Sequence, residues 1–175
     1  MRWGIRTTVQ SLLFNDGAGL EDRYDAGDID TPRYLAAISE ALGCRLDADI
    51  WCAARGASMR LPDAVAQAVE TIAARCDVGV LTNNGPLIDE RWRTLLPALA
   101  PLHGRVLCSG TLRASKPQAA IFERALAHFG HRAEDTLFLD DNAGNVAGAR
   151  AAGLHAEQVL RPGDFAGILA AYGVA

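Results

Sequence analysis

Between residues 31 and 42 the apolar side chains Tyr34, Leu35, Ile38, Ala41 and Leu42 fall three and four apart, behind Thr31-Pro32 and ahead of Gly43. That spacing predicts an amphipathic helix with proline in its first turn and a glycine stop. A second helix is predicted over 47–57, with Ile50, Ala53, Ala54 and Ala57 on one face and Trp51 on the flank. No stretch before residue 61 reads as a strand, so 1–61 is expected to be a small all-helical unit.

After Leu61-Pro62 the pattern changes. Short apolar runs at 77–81, 105–108, 136–139 and 156–160 alternate with helical patterns over 62–75, 87–100, 117–129, 143–152 and 164–171. Short apolar strands separated by helices of this length predict a parallel sheet covered on both faces. The expected fold class is therefore α/β, a Rossmann-like doubly wound sheet over 62–175 with the helical unit 1–61 in front of it. In such sheets ligands bind beyond the carboxyl ends of the strands. That is where the polar runs "TNNGP" (82–86), "SGTLRASKP" (109–117) and "DDNAGN" (140–145) lie.

Composition narrows this picture. The chain has 175 residues, half of them hydrophobic, and a net charge of −4. A chain so apolar is not disordered, no run is long enough to span a membrane, and no basic cluster offers a nucleic-acid footprint. Cys44, Cys52, Cys76 and Cys108 stand far apart without a Cys-x-x-Cys pair, and are expected to be reduced, mostly buried thiols of a cytoplasmic protein rather than zinc ligands. The basic start, Met1 to Arg6, lacks the apolar run of a signal peptide.

Three groups carry candidate chemistry. Asp140 and Asp141 end a strand side by side, which suits a hard cation such as Mg²⁺ or, equally, a solvated turn with Asn142 capping the next helix. Lys116 precedes Pro117 at an expected helix start, the wrong end of the dipole for a cation by about 0.3–1 kcal/mol. Such a placement suggests an anion held nearby, against the alternative of an exposed surface lysine. Thr82 adds a hydroxyl at the end of the 77–81 strand, followed by Asn83, Asn84 and Gly85 in a loop able to hold phosphate oxygens or simply to turn.

In order, Thr82, Lys116-Pro117 and Asp140-Asp141-Asn142 resemble the motifs of the haloacid dehalogenase-like (HAD) superfamily of hydrolases. The matching pieces are "VLTNN" (80–84), "SKPQAAIFERAL" (115–126) and "TLFLDDNAGNVAGARAAG" (136–153). They look closest to the sugar-phosphate phosphatases and to the phosphatase domain fused to some epoxide hydrolases. Dehalogenases of the superfamily usually carry Ser-Asn where this chain has Asp-Asp. The resemblance implies that Thr82 and Asn83 serve the substrate phosphate and that Lys116 neutralises charge between phosphate and nucleophile. It also implies that Asp140 and Asp141 hold Mg²⁺ and that Asn145 orients them. It implies a small phosphorylated metabolite as substrate and an aspartate nucleophile that is phosphorylated and then hydrolysed. The unit 1–61 is similar, more loosely, to the helical cap of these enzymes.

The family's nucleophile lies in Asp-x-Asp after an apolar strand, the central one of the sheet. Asp28-Ile29-Asp30 has the spelling, but "GLEDRYDAG" before it cannot form a buried strand and Thr31-Pro32 after it starts a helix. Asp30 is expected to be a solvated helix-start carboxylate instead. Asn15-Asp16-Gly17 fails too, because Leu12-Leu13-Phe14 is short and close to a helical pattern. The chain is thus expected to begin inside the cap, without its first core strand, and to be inactive as written. Three explanations stay open: a longer natural protein, flanking strands that close up or take a strand from another chain by self-association, and a non-catalytic relative that binds phosphate or Mg²⁺. A phosphoacceptor receiver domain uses similar residues, but with the acidic pair first and lysine last.

Overall fold

A computed structural model describes residues 19–59, 61–102 and 105–174. The helical expectation for residues 1–18 and the rejected Asn15-Asp16-Gly17 candidate lie outside them. Three helices come first: α1 (Leu20–Asp25), α2 (Thr31–Leu42) and α3 (Ala48–Ser58). Asp30 caps α2 by accepting from the Arg33 N–H, Pro32 sits in the first turn, and Gly43 stops the helix in the left-handed region at φ 65°. The helix buries Tyr34, Leu35 and Ile38 of its predicted face, whereas Ala41 is half-buried and Leu42, in the last turn, is exposed.

For α3 the expected face is wrong. Trp51 is buried, whereas Ile50, Ala53, Ala54 and Ala57 are exposed. Alanine is too small to mark a core face, and the one large aromatic decides which side turns inward. Tyr24 and Tyr34 stack with ring centroids 3.9 Å apart, and Trp51 meets Tyr34 edge-on. These aromatics share one cluster with Leu87, Ile88, Leu95 and Cys108 of the following region, so the first helices pack directly on it.

The remaining order is α4 (Asp63–Ala73), β1 (Val80–Thr82), α5 (Pro86–Leu95), a 3₁₀ turn (Pro97–Leu102), β2 (Val106–Cys108), α6 (Ser109–Leu112) and α7 (Ala119–Phe129). A short 3₁₀ turn (Ala133–Asp135), β3 (Leu137–Asp140), α8 (Ala143–Ala151), β4 (His155–Gln158) and α9 (Asp164–Ala171) complete it. The helix expected over 87–100 stops at Leu95, because Pro97 lacks the N–H to continue it. The chain is α/β with short parallel strands, and by residue count mostly helical.

The expected continuous sheet is instead two ladders, β1 with β2 and β3 with β4, both parallel and unjoined among the described residues. The Val80 N–H donates to the Arg105 carbonyl, so Val80 and Thr82 face β2 and Leu81 faces away. Thr136 and Asp140 accept from His155 and Val159, so Leu137 and Leu139 likewise turn their N–H and C=O groups away from β4. A cavity of about 330 Å³ lies between, lined by Val78, Val80, Leu81, Phe122, Phe138 and Leu139 among others. Among the described residues both ladders therefore present an open edge and apolar side chains to one slot.

The cysteines depart from expectation as well. Cys108 is buried, but Cys44 and Cys76 are exposed and Cys52 is intermediate, since Cys44 and Cys76 fall just after helices end. No helix among the described residues is long and apolar enough to cross a membrane.

Candidate active site

Lys116 stands at the carboxyl ends of β1 and β3. Its ammonium donates to Asp140 Oδ2 at 2.7 Å and to the Leu81 carbonyl at 3.0 Å. The latter is a carbonyl on the edge of β1 that no described strand pairs. The side chains of Lys116 and Asp140 are 10% and 7% exposed, so this pair is largely shielded from water. Asp140 Oδ1 accepts from the Asn142 N–H at 2.9 Å and from Asn145 Nδ2 at 3.0 Å. Burial works against the charged carboxyl, but the Lys116 ammonium and the Asn142 and Asn145 donors outweigh it and hold Asp140 below the usual carboxylate range.

The segment carrying Lys116 is not a helix start. The helix begins at Ala119 with Gln118 as its cap, and the Lys116–Pro117 peptide, which is cis, belongs to the turn before it. Asn83 explains why: its Oδ1 accepts from the Lys116 N–H at 2.9 Å and its Nδ2 donates to the Lys116 carbonyl at 3.0 Å. One amide side chain thus clamps both ends of the residue and ties its backbone to the loop after β1. The dipole argument for Lys116 falls away, since its charge is met by Asp140 instead. On the other side, a Cβ at Gly148 would lie 2.3 Å from the Pro117 carbonyl oxygen, so only glycine lets α8 approach this turn.

Of the residues singled out in the sequence, Lys116, Asp140, Asn145 and Asn83 meet directly. Thr82 is joined to them through its loop, where its Oγ1 accepts from Asn84 Nδ2 at 2.6 Å. Asp141 diverges: its carbonyl accepts from Gln158 Nε2 and its side chain faces solvent. Asn142 caps α8 through the Gly144 and Asn145 N–H groups, as the plainer of the two readings has it. Asp28 is exposed, and the rejected Asp28-Ile29-Asp30 motif lies in the turn into α2.

Two supporting residues have no signature in the sequence. The fully buried Ser109 donates to the Asp25 carbonyl at 2.5 Å and accepts from the Asn84 N–H at 3.0 Å, fixing the loop after β1. Arg55, on α3, donates from Nη2 to Asn84 Oδ1 at 3.1 Å. Beside them burial, with Glu21 next, pushes the Asp25 carboxyl up to about 7, against the opposing pull of Arg55.

As a metal set the site is partial. Among the described residues no three His, Cys, Asp or Glu side chains gather. Both oxygens of Asp140 already hold donors, though a carboxylate has lone pairs to spare, and the neighbouring Asp141 is uncommitted on its solvent side. Mg²⁺ is commonly held by one or two carboxylates together with water and phosphate oxygens, so the pair fits Mg²⁺ when other oxygens complete the shell.

Short parallel strands ending on a shielded lysine–aspartate pair define an α/β protein with a polar cluster at its strand ends. Residues 6–153 match the model of the haloacid dehalogenase-like hydrolases, and the chain belongs to that family. It is 37% identical over 103 residues to phosphatase MT3486 of Mycobacterium tuberculosis (strain CDC 1551 / Oshkosh), which covers 59% of this chain and 48% of that one. The chain thus spans about half the length of this curated relative. Among solved structures it resembles a HAD-like family hydrolase from Porphyromonas gingivalis, at TM-score 0.65 and 21% identity over 87% of this chain and 77% of that one. It also resembles a HAD family enzyme from Bacteroides thetaiotaomicron in complex with magnesium and inorganic phosphate, at TM-score 0.68 and 17% identity over 88% and 83%. At these identities the two structures speak for the fold.

Proposed function

We propose that the chain carries the phosphate- and Mg²⁺-binding half of a phosphatase site acting on a small phosphorylated metabolite of the sugar-phosphate type. In this reading residues 1–61 form a cap and 62–175 the core. An extended apolar segment bearing the aspartate nucleophile fills the slot between β1 and β3. The observation that carries the reading is the Lys116 ammonium, shielded where two strand edges left open among the described residues end, and bound to Asp140 and to the Leu81 carbonyl of one such edge. The Bacteroides relative, crystallised with magnesium and inorganic phosphate, supports the ligand class.

Each residue then has a task. Lys116 faces the transferring phosphoryl group with a fixed positive charge, whose orientation Asn83 secures through the backbone. Thr82 donates its hydroxyl to a phosphate oxygen. Asp140 and Asp141 would hold Mg²⁺, with Asn145 keeping Asp140 in place. Bound there, the ion would offset negative charge on the phosphoryl oxygens.

The commitment of both Asp140 oxygens favours a second reading, a non-catalytic relative whose lysine–aspartate pair is complete without metal. Mg²⁺-dependent hydrolysis of an aryl phosphate separates the two. The chain as written is expected to show none. A chain extended at residue 1 by an apolar strand ending in Asp-x-Asp is expected to turn over, and to lose activity with Lys116→Met. An inert extended chain supports the non-catalytic reading. Turnover by the chain as written, abolished by Asp28→Asn, overturns the slot proposal.

A further inference from the structure

We infer that Arg55 is a positioning residue that sets the direction of the Thr82 hydroxyl through Asn84, so that the seating of α3 decides whether the phosphate loop offers a donor. The inference rests on the phosphate reading of Thr82 given above. The relay is short: Arg55 Nη2 to Asn84 Oδ1 at 3.1 Å, then Asn84 Nδ2 to Thr82 Oγ1 at 2.6 Å.

The two ends of an asparagine amide have nearly the same shape, so only hydrogen-bond partners decide which way it points. A guanidinium has no acceptor, and the atom facing Arg55 must therefore be Oδ1. That choice turns Nδ2, a pure donor, onto Thr82. The Thr82 oxygen accepts this bond, and its single proton is left to donate elsewhere. Without Arg55 the amide is free to rotate and present Oδ1 to Thr82. The hydroxyl would then spend its proton on Asn84 and turn a lone pair toward an incoming phosphate oxygen. One flip converts an attractive contact into a repulsive one.

The surroundings hold the relay in this sense. The Asn84 N–H is anchored on the buried Ser109 hydroxyl, which limits the motion of the Asn84 backbone. Arg55 Nε is buried and has no hydrogen-bond partner among the described residues, so the Nη2 contact to Asn84 is where this side chain meets the loop. A buried unmatched donor is a cost by itself, and the Nη2 bond to Asn84 is the hydrogen bond that this guanidinium makes among the described residues.

The test is a double-mutant cycle read by calorimetric binding of inorganic phosphate to the full chain. Thr82→Val and Arg55→Met are each expected to weaken binding by about 2- to 10-fold, the range of one hydrogen bond. The double variant is expected to bind no more weakly than Thr82→Val alone, because Arg55 acts through that hydroxyl. Arg55→Lys, which keeps a donor and the charge, is expected to restore most of the affinity. If Arg55→Met does not fold, Asn84→Ala removes the same relay at its middle and enters the same cycle. Additive losses, as a plain charge effect would give, overturn the relay while leaving Thr82 as a phosphate ligand. Unchanged affinity in Arg55→Met does the same. If Thr82→Val binds phosphate as well as the unaltered chain, or that chain binds none, the phosphate reading falls and the relay with it.

Discussion

Replacing Asp25 by asparagine should stabilise the protein at pH 8 and have little effect near pH 4. Asp25 ends α1, and its carboxyl is pushed from an ordinary 3.8 up to about 7, first by burial and then by Glu21, with Asp22 adding to it. Arg55 and the Gly85 backbone pull the other way without cancelling the rise. Between about pH 4 and 7 the folded chain therefore holds a proton that the unfolded chain has lost. The favourable contribution of this proton is whole below the unfolded value and is lost as pH rises through about 7. A difference of this size corresponds to about 4 kcal/mol, and partial access of water to the carboxyl lowers the expectation to about 2–4 kcal/mol. Asparagine resembles the protonated acid and has no such pH dependence. Urea unfolding of both proteins at pH 4 and pH 8 measures the difference, since carboxylates remote from Asp25 titrate alike in each and cancel. The advantage of Asp25→Asn should grow between the two pH values. An equal difference at both, or one that shrinks toward pH 8, would refute the assignment of Asp25 as a buried, uncompensated acid.

Two further outcomes follow from the site. Lys116→Met should cost about 3–5 kcal/mol in chemical denaturation, because it strands the shielded Asp140 carboxylate, and Lys116→Met with Asp140→Asn should recover a good part of that loss. A double variant no more stable than Lys116→Met would argue against the pair. Gly148→Ala should cost about 1–3 kcal/mol, since its Cβ would press on the Pro117 carbonyl; an unchanged denaturation midpoint would show that α8 lies farther from the Lys116 turn.

Much of the fold is written in local signals. Asp30, Pro32 and Gly43 mark both ends of α2 because cap, first turn and stop are each set by one or two neighbouring residues. The gathering of Lys116, Asp140 and Asn145 was implied only by the resemblance of their motifs to the HAD superfamily, since the alternating pattern by itself left each of the first two with a plain alternative. What distance along the chain decides was not legible. The face of α3 depends on where Trp51 finds Tyr34, the start of α7 depends on Asn83 gripping Lys116 from 33 residues away, and Arg55 meets Asn84 across 29. The split between the two ladders is of the same kind. Four short apolar runs look alike whether or not a neighbour lies between them.

The buried Ser109 hydroxyl has a consequence for the order in which the protein assembles. It reaches across 84 residues to the Asp25 carbonyl and 25 to the Asn84 N–H, so its two bonds close large loops of chain before either can form. Contacts of such separation are slow to gather, whereas the helix caps beside them need only a few residues. The loop that holds Thr82 is thus tied down by long-range bonds, and a chain in which only the helices have formed would still lack the shape of this loop.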